Sequence, residues 1–500
     1  MEISSLAQVL RLRDDIATMR NQAADLGRQL TTGKKADTFG GLGTDRNLVL
    51  SLRAQTRALD GYIRTITQTE LRVKVISDSL TRVDKIASEL KSGGQGSGFG
   101  LVNGTQTDLQ INAGLKLDEL VSLLNVEIED RHLFGGRETQ KAPVVLPDLI
   151  LNGDTTHAGL KQVIDERRQA DLGADNRGRL VIPAAAGPAV SVSEDVAPSV
   201  FGFKLGAVAS NLSGTAIAGP AGAPPSLSVT FSGTLPAQGQ KIDIDLTLPD
   251  GTTKTITLSA ETIGPAEDGE FLIGADANTT AVNFQAALDA AVQKEAKTSL
   301  RAASAKAATD NFFDFDAATS PQRVNGPPFD TATGLIDGTA ANTVFWYRGD
   351  NATSPIANSA IAKIEDGRTL SYGTRADEAP IRTTLKMAAL LAAESYSNAD
   401  PDAAGAYREL LSRVVPAIGF QGTRSVADIV TELGLTSAQL DETRNRHENT
   451  VALSKGLVED KENADPFEIG VKLGQLQKQL EASFQVTARL NDLSLVNFIR

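Results

Sequence analysis

Side chains able to do acid–base, nucleophilic or metal chemistry are sparse or scattered in this 500-residue chain. The three histidines, His132, His157 and His447, lie far apart in unlike contexts. A metal site needs converging ligands, often two on one helical face at i and i+4. His447-Glu448 begins in the manner of a zinc-protease motif, yet Val451 stands where the second histidine is required. His447 therefore reads as a solvated or seam residue. Cysteine is absent, which excludes disulfide scaffolds, thiolate nucleophiles and zinc–sulfur sites. The run Gly93–Gly100 has glycine spacings like those of a phosphate cradle, but no strand precedes it and no Lys-Ser or Lys-Thr follows. It reads as a flexible turn between helices. No G-x-S-x-G elbow occurs in a strand–turn–helix context. Leu151–Thr156, the nearest approach to a calcium loop, is too short. The carboxylates are spread along the chain with no pair set apart. The expectation is no catalytic residue, no cofactor and no metal.

Composition narrows the partners. A net charge of -13 argues against a sequence-independent nucleic-acid binder, which displaces counterions with Lys and Arg, and against a membrane-surface protein. No run of about 18 apolar residues exists, so no membrane insertion is expected. The start, MEISSLAQVLRLRDD, lacks a basic segment followed by an apolar one, so export would use a route without a cleavable signal peptide. Aromatics are few, with one Trp and five Tyr. The cluster Phe345-Trp346-Tyr347 is a candidate contact surface if exposed, although a lone aromatic strand is more often core.

The elements that position these residues differ between the ends and the middle. Val9, Leu12, Ile16, Met19, Ala23, Leu26 and Leu30 recur at steps of three and four, the seam of a helix built to pack on another helix. Asp37–Gly43 reads as a loop. Leu52, Leu59, Ile66, Val73, Leu80 and Ala87 then repeat every seven residues. Tyr62, Ile76, Val83 and Leu90 form a second row, interrupted at Thr69. This a/d pattern predicts a coiled-coil-like helix about 60 Å long. It is followed by a helix over 107–128. Further helices are predicted over 380–395, 403–418, 425–457 and 465–495. The last carries Ile469, Leu473, Leu476, Leu480 and Phe484, with Leu490 and Leu493 extending the stripe. Asp465-Pro466 marks its start.

Between 141 and 372 the period changes. Ile242–Leu248 and Thr253–Leu258 alternate apolar and polar residues around Pro249-Asp250-Gly251-Thr252, predicting a hairpin. A helix follows over 280–292, and short strands are expected at 227–231, 344–347 and 369–372. The fold class expected is a mainly α, coiled-coil-like helical bundle formed by both chain ends, with an inserted α+β, β-rich outer domain. The divisions are 1–44, an inner helix and loop; 45–140, a long-helix arm; 141–375, the insertion; 376–463, returning arm helices; and 464–500, a terminal inner helix.

Particular residues carry a resemblance. Leu26-Gly-Arg-Gln-Leu-Thr-Thr-Gly-Lys34, the helix with Leu52-Arg53-Ala54, and Leu476–Phe498 closing on Leu493-Ser494-Leu495 are similar to the two ends of the bacterial flagellin family. The likeness covers about residues 1–140 and 375–500. Asp130-Arg-His-Leu-Phe-Gly-Gly136 with Arg137–Pro143 looks like the corresponding segment of hook–filament junction proteins of the same family. The resemblance implies a non-enzymatic, extracellular structural subunit of the flagellum, exported by the flagellar type III apparatus. Its partners would be itself, hook-associated and cap proteins, and the export apparatus with a chaperone. The seam residues just named would form the assembly interface. A filament subunit is the leading reading, with a junction subunit and a surface-binding outer domain as alternatives.

Overall fold

The structure, a computed structural model, describes residues 2–418 and 424–498; the side chains of 2–6, 8 and 490–498 lie outside that description. The helices in chain order are α1 (Glu2–Thr32), α2 (Arg46–Gly96), α3 (Asp108–Leu124), α4 (Pro147–Asn152), α5 (Leu160–Leu172), α6 (Ala277–Glu295), α7 (Arg301–Phe313), α8 (Ala379–Ala393), α9 (Ala403–Ala417), α10 (Val426–Glu462) and α11 (Pro466–Phe498). Long helices thus open and close the chain, and all of its sheets lie between them. The chain divides into two compact units. The first comprises residues 1–70, 362–369 and 438–500; the second comprises 71–361 and 370–437.

In the first unit α1 and α11 pack antiparallel. Gly33, at φ +67, closes α1 in the left-handed region that favours glycine. The chain then pairs with the turn ahead of α11: Lys34 bridges Asn463, Lys35 N donates to Glu462 O at 2.8 Å, and Ala464 N donates to Gly33 O at 2.9 Å. The expected loop over 37–43 contains a 3₁₀ segment, Phe39–Asp45, kinked at Gly43.

The second unit holds strands β1 (Glu127–Ile128), β2 (Arg131–His132), β3 (Leu180–Val181), β4 (Ala189–Glu194), β5 (Lys204–Ser210), β6 (Thr215–Ala221), β7 (Ser226–Phe231), β8 (Lys241–Thr247), β9 (Thr253–Glu261), β10 (Glu270–Leu272), β11 (Gln322–Val324) and β12 (Leu335–Asp337). A further hairpin, β13 (Ile361–Glu365) with β14 (Arg368–Ser371), has its tip in the first unit. Two four-stranded sheets, ordered β3-β4-β7-β6 and β10-β9-β8-β5, share one core with α6. Period-two alternation produces it: Ile242, Ile244 and Leu246 point inward with Ile256 and Leu258, while Asp243 and Asp245 face out. Phe231, Phe271 and Phe284 meet edge to face at 5.2–6.2 Å. The predicted hairpin 242–258 and helix 280–292 appear as β8–β9 and α6. The segment 344–347 forms only a bridge, Val144 with Tyr347, because Trp346 and Tyr347 turn into the core.

A second, helical core in the same unit joins α3, α5, α7, α8 and α9. Thr107 caps α3 in a reciprocal box with Gln110. The buried Gln110 amide donates to the carbonyls of Leu391 and Glu394 at 3.2 and 2.7 Å. A π-turn, Ala296–Leu300, joins α6 directly to α7. Glycines expected to end α2 are helical through Gly96. A Cβ on Gly94 would stand 2.6 Å from Val415 Cγ2, so the glycine permits a close helix approach rather than a turn.

Candidate assembly surface

The residues with chemical potential resolve first. His447 is buried, its Nε2 donating to the Ile364 carbonyl at 2.8 Å, with the Tyr62 ring 6.0 Å away. That bond places the proton on Nε2 and makes His447 a packing residue between a helix and the β13 strand. His132 Nδ1 lies 2.9 Å from Asn125 O. His157 sits in a turn organised by Asp154, whose carboxyl is held well below its usual range chiefly by the N–H groups of Thr156 and His157. Among the described residues, no group of three or more His, Asp or Glu is arranged to hold a metal ion. Trp346 is core: it is 1% exposed and donates through Nε1 to Phe313 O at 3.0 Å. Burial also pushes the Tyr347 phenol well above its ordinary value.

The seam residues fall into three groups. On α1, Leu12, Ile16, Met19 and Leu26 are half-buried, whereas Val9 and Leu30 are 51% and 45% exposed. On α11, Leu473, Leu476 and Leu480 are half-buried, and Phe484 is exposed with the Arg20 guanidinium 5.3 Å from its ring centroid. The structure brings these two rows together, because α1 and α11 lie against each other. The side chain of Leu490, like that of Leu493, falls outside the described residues. On α2 the heptad row grades along the helix: Leu52 and Leu59 are half-buried, while Ile66, Val73 and Leu80 are fully buried. Thr69, which interrupts the second row, is buried with its hydroxyl donating to Thr65 O at 2.8 Å, so the break in hydrophobicity leaves no unpaired polar atom.

Ion pairs and a lysine–carbonyl hydrogen bond flank the seam inside the first unit. Arg53 pairs with Glu462, Arg444 pairs with Glu70, and Lys35 Nζ reaches Asp460 O at 2.7 Å. Arg82 in the second unit pairs with Glu119 and Glu89, and Lys116 pairs with Glu89 at 2.6 Å; these contacts hold both carboxyls below their ordinary values.

Other apolar residues left uncovered in the first unit have no counterpart in the sequence-level seam. Phe467 and Val471, one helical turn apart on α11, are 87% and 72% exposed. Leu453 and Leu457 have the same spacing on α10 and are also exposed. Their i, i+4 spacing was the available signal, but each pair lies off the main stripe. A helix presenting two apolar faces, one half-covered and one bare, can bury the second only against another molecule. No protein-family model and no curated protein matches this chain.

Proposed function

We propose that this chain is a non-enzymatic structural subunit of the flagellin family, which builds a helical filament by burying its terminal helices against neighbouring copies. The observation that carries the reading is the state of α1 and α11. Both ends of the chain run as long paired helices whose apolar rows are half-covered, with Val9, Phe467, Val471 and Phe484 exposed. Apolar rows left half-covered on long helices imply a partner outside the single chain. In the assembled state these helices and α2 would form a coiled-coil-like bundle lining a tube. A repeated heterologous contact that does not close on itself gives such an open helix. The sheet-rich segment would then face outward, and export would deliver the subunit to an extracellular flagellum. Cap and hook-associated proteins, an export apparatus and a chaperone are the partners this reading carries with it.

A second reading, the hook–filament junction subunit, is favoured by Asp130–Gly136, which leaves α3 through the tight β1–β2 hairpin with Glu129 and Asp130 at positive φ. Seeding separates the two. Purified chain incubated with sheared filament fragments is expected to grow long uniform tubes in negative-stain micrographs. Ile16→Asp or Leu480→Asp is expected to abolish growth while the second unit keeps its near-ultraviolet circular dichroism, because assembly would bury an unpaired carboxylate. Tubes of normal length from either variant would refute the assembly model. Chains that cap hook ends without elongating would establish the junction subunit.

A further inference from the structure

Strand β9 leaves an unusual edge. On one side it pairs with β8 from Thr253 to Ser259. On the other, β10 covers only Ser259–Glu261, running parallel. Ala260 N donates to Gln240 O and Ala260 O accepts from Gly239 N, both on the β8 side, whereas Ser259 N donates to Gly269 O on the β10 side. Backbone direction alternates along a strand, so the N–H and C=O groups of Thr253, Thr255 and Thr257 point to the same side as those of Ser259, along the stretch of edge ahead of β10. An uncovered strand edge is a template for pairing, and folded chains commonly blunt it with proline, a bulge or a covering segment. None of these devices interrupts Thr253–Thr257.

The edge is recessed rather than flat. It forms one wall of an open groove of about 720 Å³, and the outer face of α6 forms the other. The α6 wall is built from Ala286, Ala287, Ala290 and Ala291, two spaced pairs of the smallest helix-forming side chain, which leave room for the side chains of an inserted strand. The rim is acidic: Glu267, Asp268, Glu270, Glu295 and Asp402 outnumber Lys294 and Lys297. Asp268, Asp402 and Glu295 are paired with Lys294 at 2.6 Å, Lys297 at 3.7 Å and Lys254 at 3.5 Å, so Glu267 and Glu270 carry the excess negative charge of the rim.

We propose that this groove is a peptide-docking site in which an extended, cationic segment of a partner adds as a strand to the edge Thr253–Thr257, in line with β10. Main-chain pairing supplies the affinity, the alanine wall admits small or β-branched side chains, and lysines or arginines at alternate positions meet the acidic rim. The span of the open edge, at about 3.3 Å per residue, takes a segment of about five or six residues. This inference concerns the second unit alone and holds whether or not the terminal helices assemble a filament.

The test is fluorescence anisotropy on the full chain, with a labelled synthetic peptide alternating lysine and valine over about six residues. Saturable binding that weakens with salt is expected. Ala290→Phe, which fills the groove from an exposed helix position, and Thr255→Pro, which removes an edge N–H, should each weaken binding at least about tenfold. Ala290→Phe keeps the result interpretable if the proline variant fails to fold. Absence of binding, equal affinity for a proline-interrupted peptide of the same charge, or indifference to Ala290→Phe would each overturn the proposal. So would sedimentation showing that the groove is filled by a second copy of the chain.

Discussion

At the scale of single residues, buried polar side chains tie helices together. Gln110 is fully buried, and its amide serves the carbonyls of Leu391 and Glu394 while its Oε1 accepts from Thr107 N at 3.0 Å. Gln110→Leu keeps the volume but orphans three backbone groups, so it is expected to destabilise the second unit by at least about 2 kcal/mol. Thr107→Ala removes the cap and the hydroxyl's bond to Tyr407 Oη, and should cost about 1 kcal/mol. Urea unfolding midpoints of the two variants check the order, and a Thr107→Ala loss larger than that of Gln110→Leu would contradict it. This bond set was invisible beforehand: a glutamine three residues after a threonine signals a capping box, but nothing in the sequence marks the carbonyls it meets 281 and 284 positions later. His447 shows the same limit. The sequence left His447 as a solvated or seam residue, and only the fold reveals the Ile364 carbonyl as its partner.

At the scale of elements, legibility followed side-chain chemistry. Helices with a Leu, Ile or Val stripe were readable, as was the β8–β9 hairpin with its two-residue period. Helices α5 and α7 were not. In α5 the residues on the buried side include Glu166, Arg167 and Asp171, which are satisfied by ion pairs to Arg323 and to each other, so the apolar period is masked. In α7 the buried face is mostly alanine, giving a helix with no stripe to count. The degree of cover along the seam was not predictable from period alone: Leu59 and Leu80 occupy equivalent heptad positions and differ in burial. That difference carries a prediction. Amides in α1 and α11, whose seam is half-covered, are expected to exchange with solvent far faster in the free chain than those of α3 or α8, and to become protected on assembly. Equal protection of α1 and α3 in the free chain would place the terminal helices in a closed core and remove the reason for assembly.

At the scale of the molecule, the compact units do not follow the boundary that composition marks at residue 141. The second unit begins at Leu71 and takes in α3, α8 and α9 together with both sheets. Arg168 reaches Glu394 at 2.6 Å, and Lys386 reaches Asp310 and Asp314 at 2.7 and 2.9 Å, so the returning helices belong to the core of the middle segment. A fragment of residues 71–437 is therefore expected to unfold cooperatively, whereas 141–372, cut from α3, α8 and α9, should lose fixed tertiary packing in its helical part while the β8–β9 core persists. Thermal scans by near-ultraviolet circular dichroism compare the two, and a cooperative transition of 141–372 matching that of the longer fragment would restore the compositional boundary.

The chain's single tryptophan adds an optical consequence. Trp346 lies 5.4 Å from the Phe313 ring and 5.6 Å from Tyr347, enclosed within the second unit, and the first unit contains no tryptophan. Selective excitation of indole thus illuminates the second unit and leaves the first dark. Emission that holds its wavelength while helicity changes reports an event confined to the terminal helices, and a red shift reports water entering the core around Trp346.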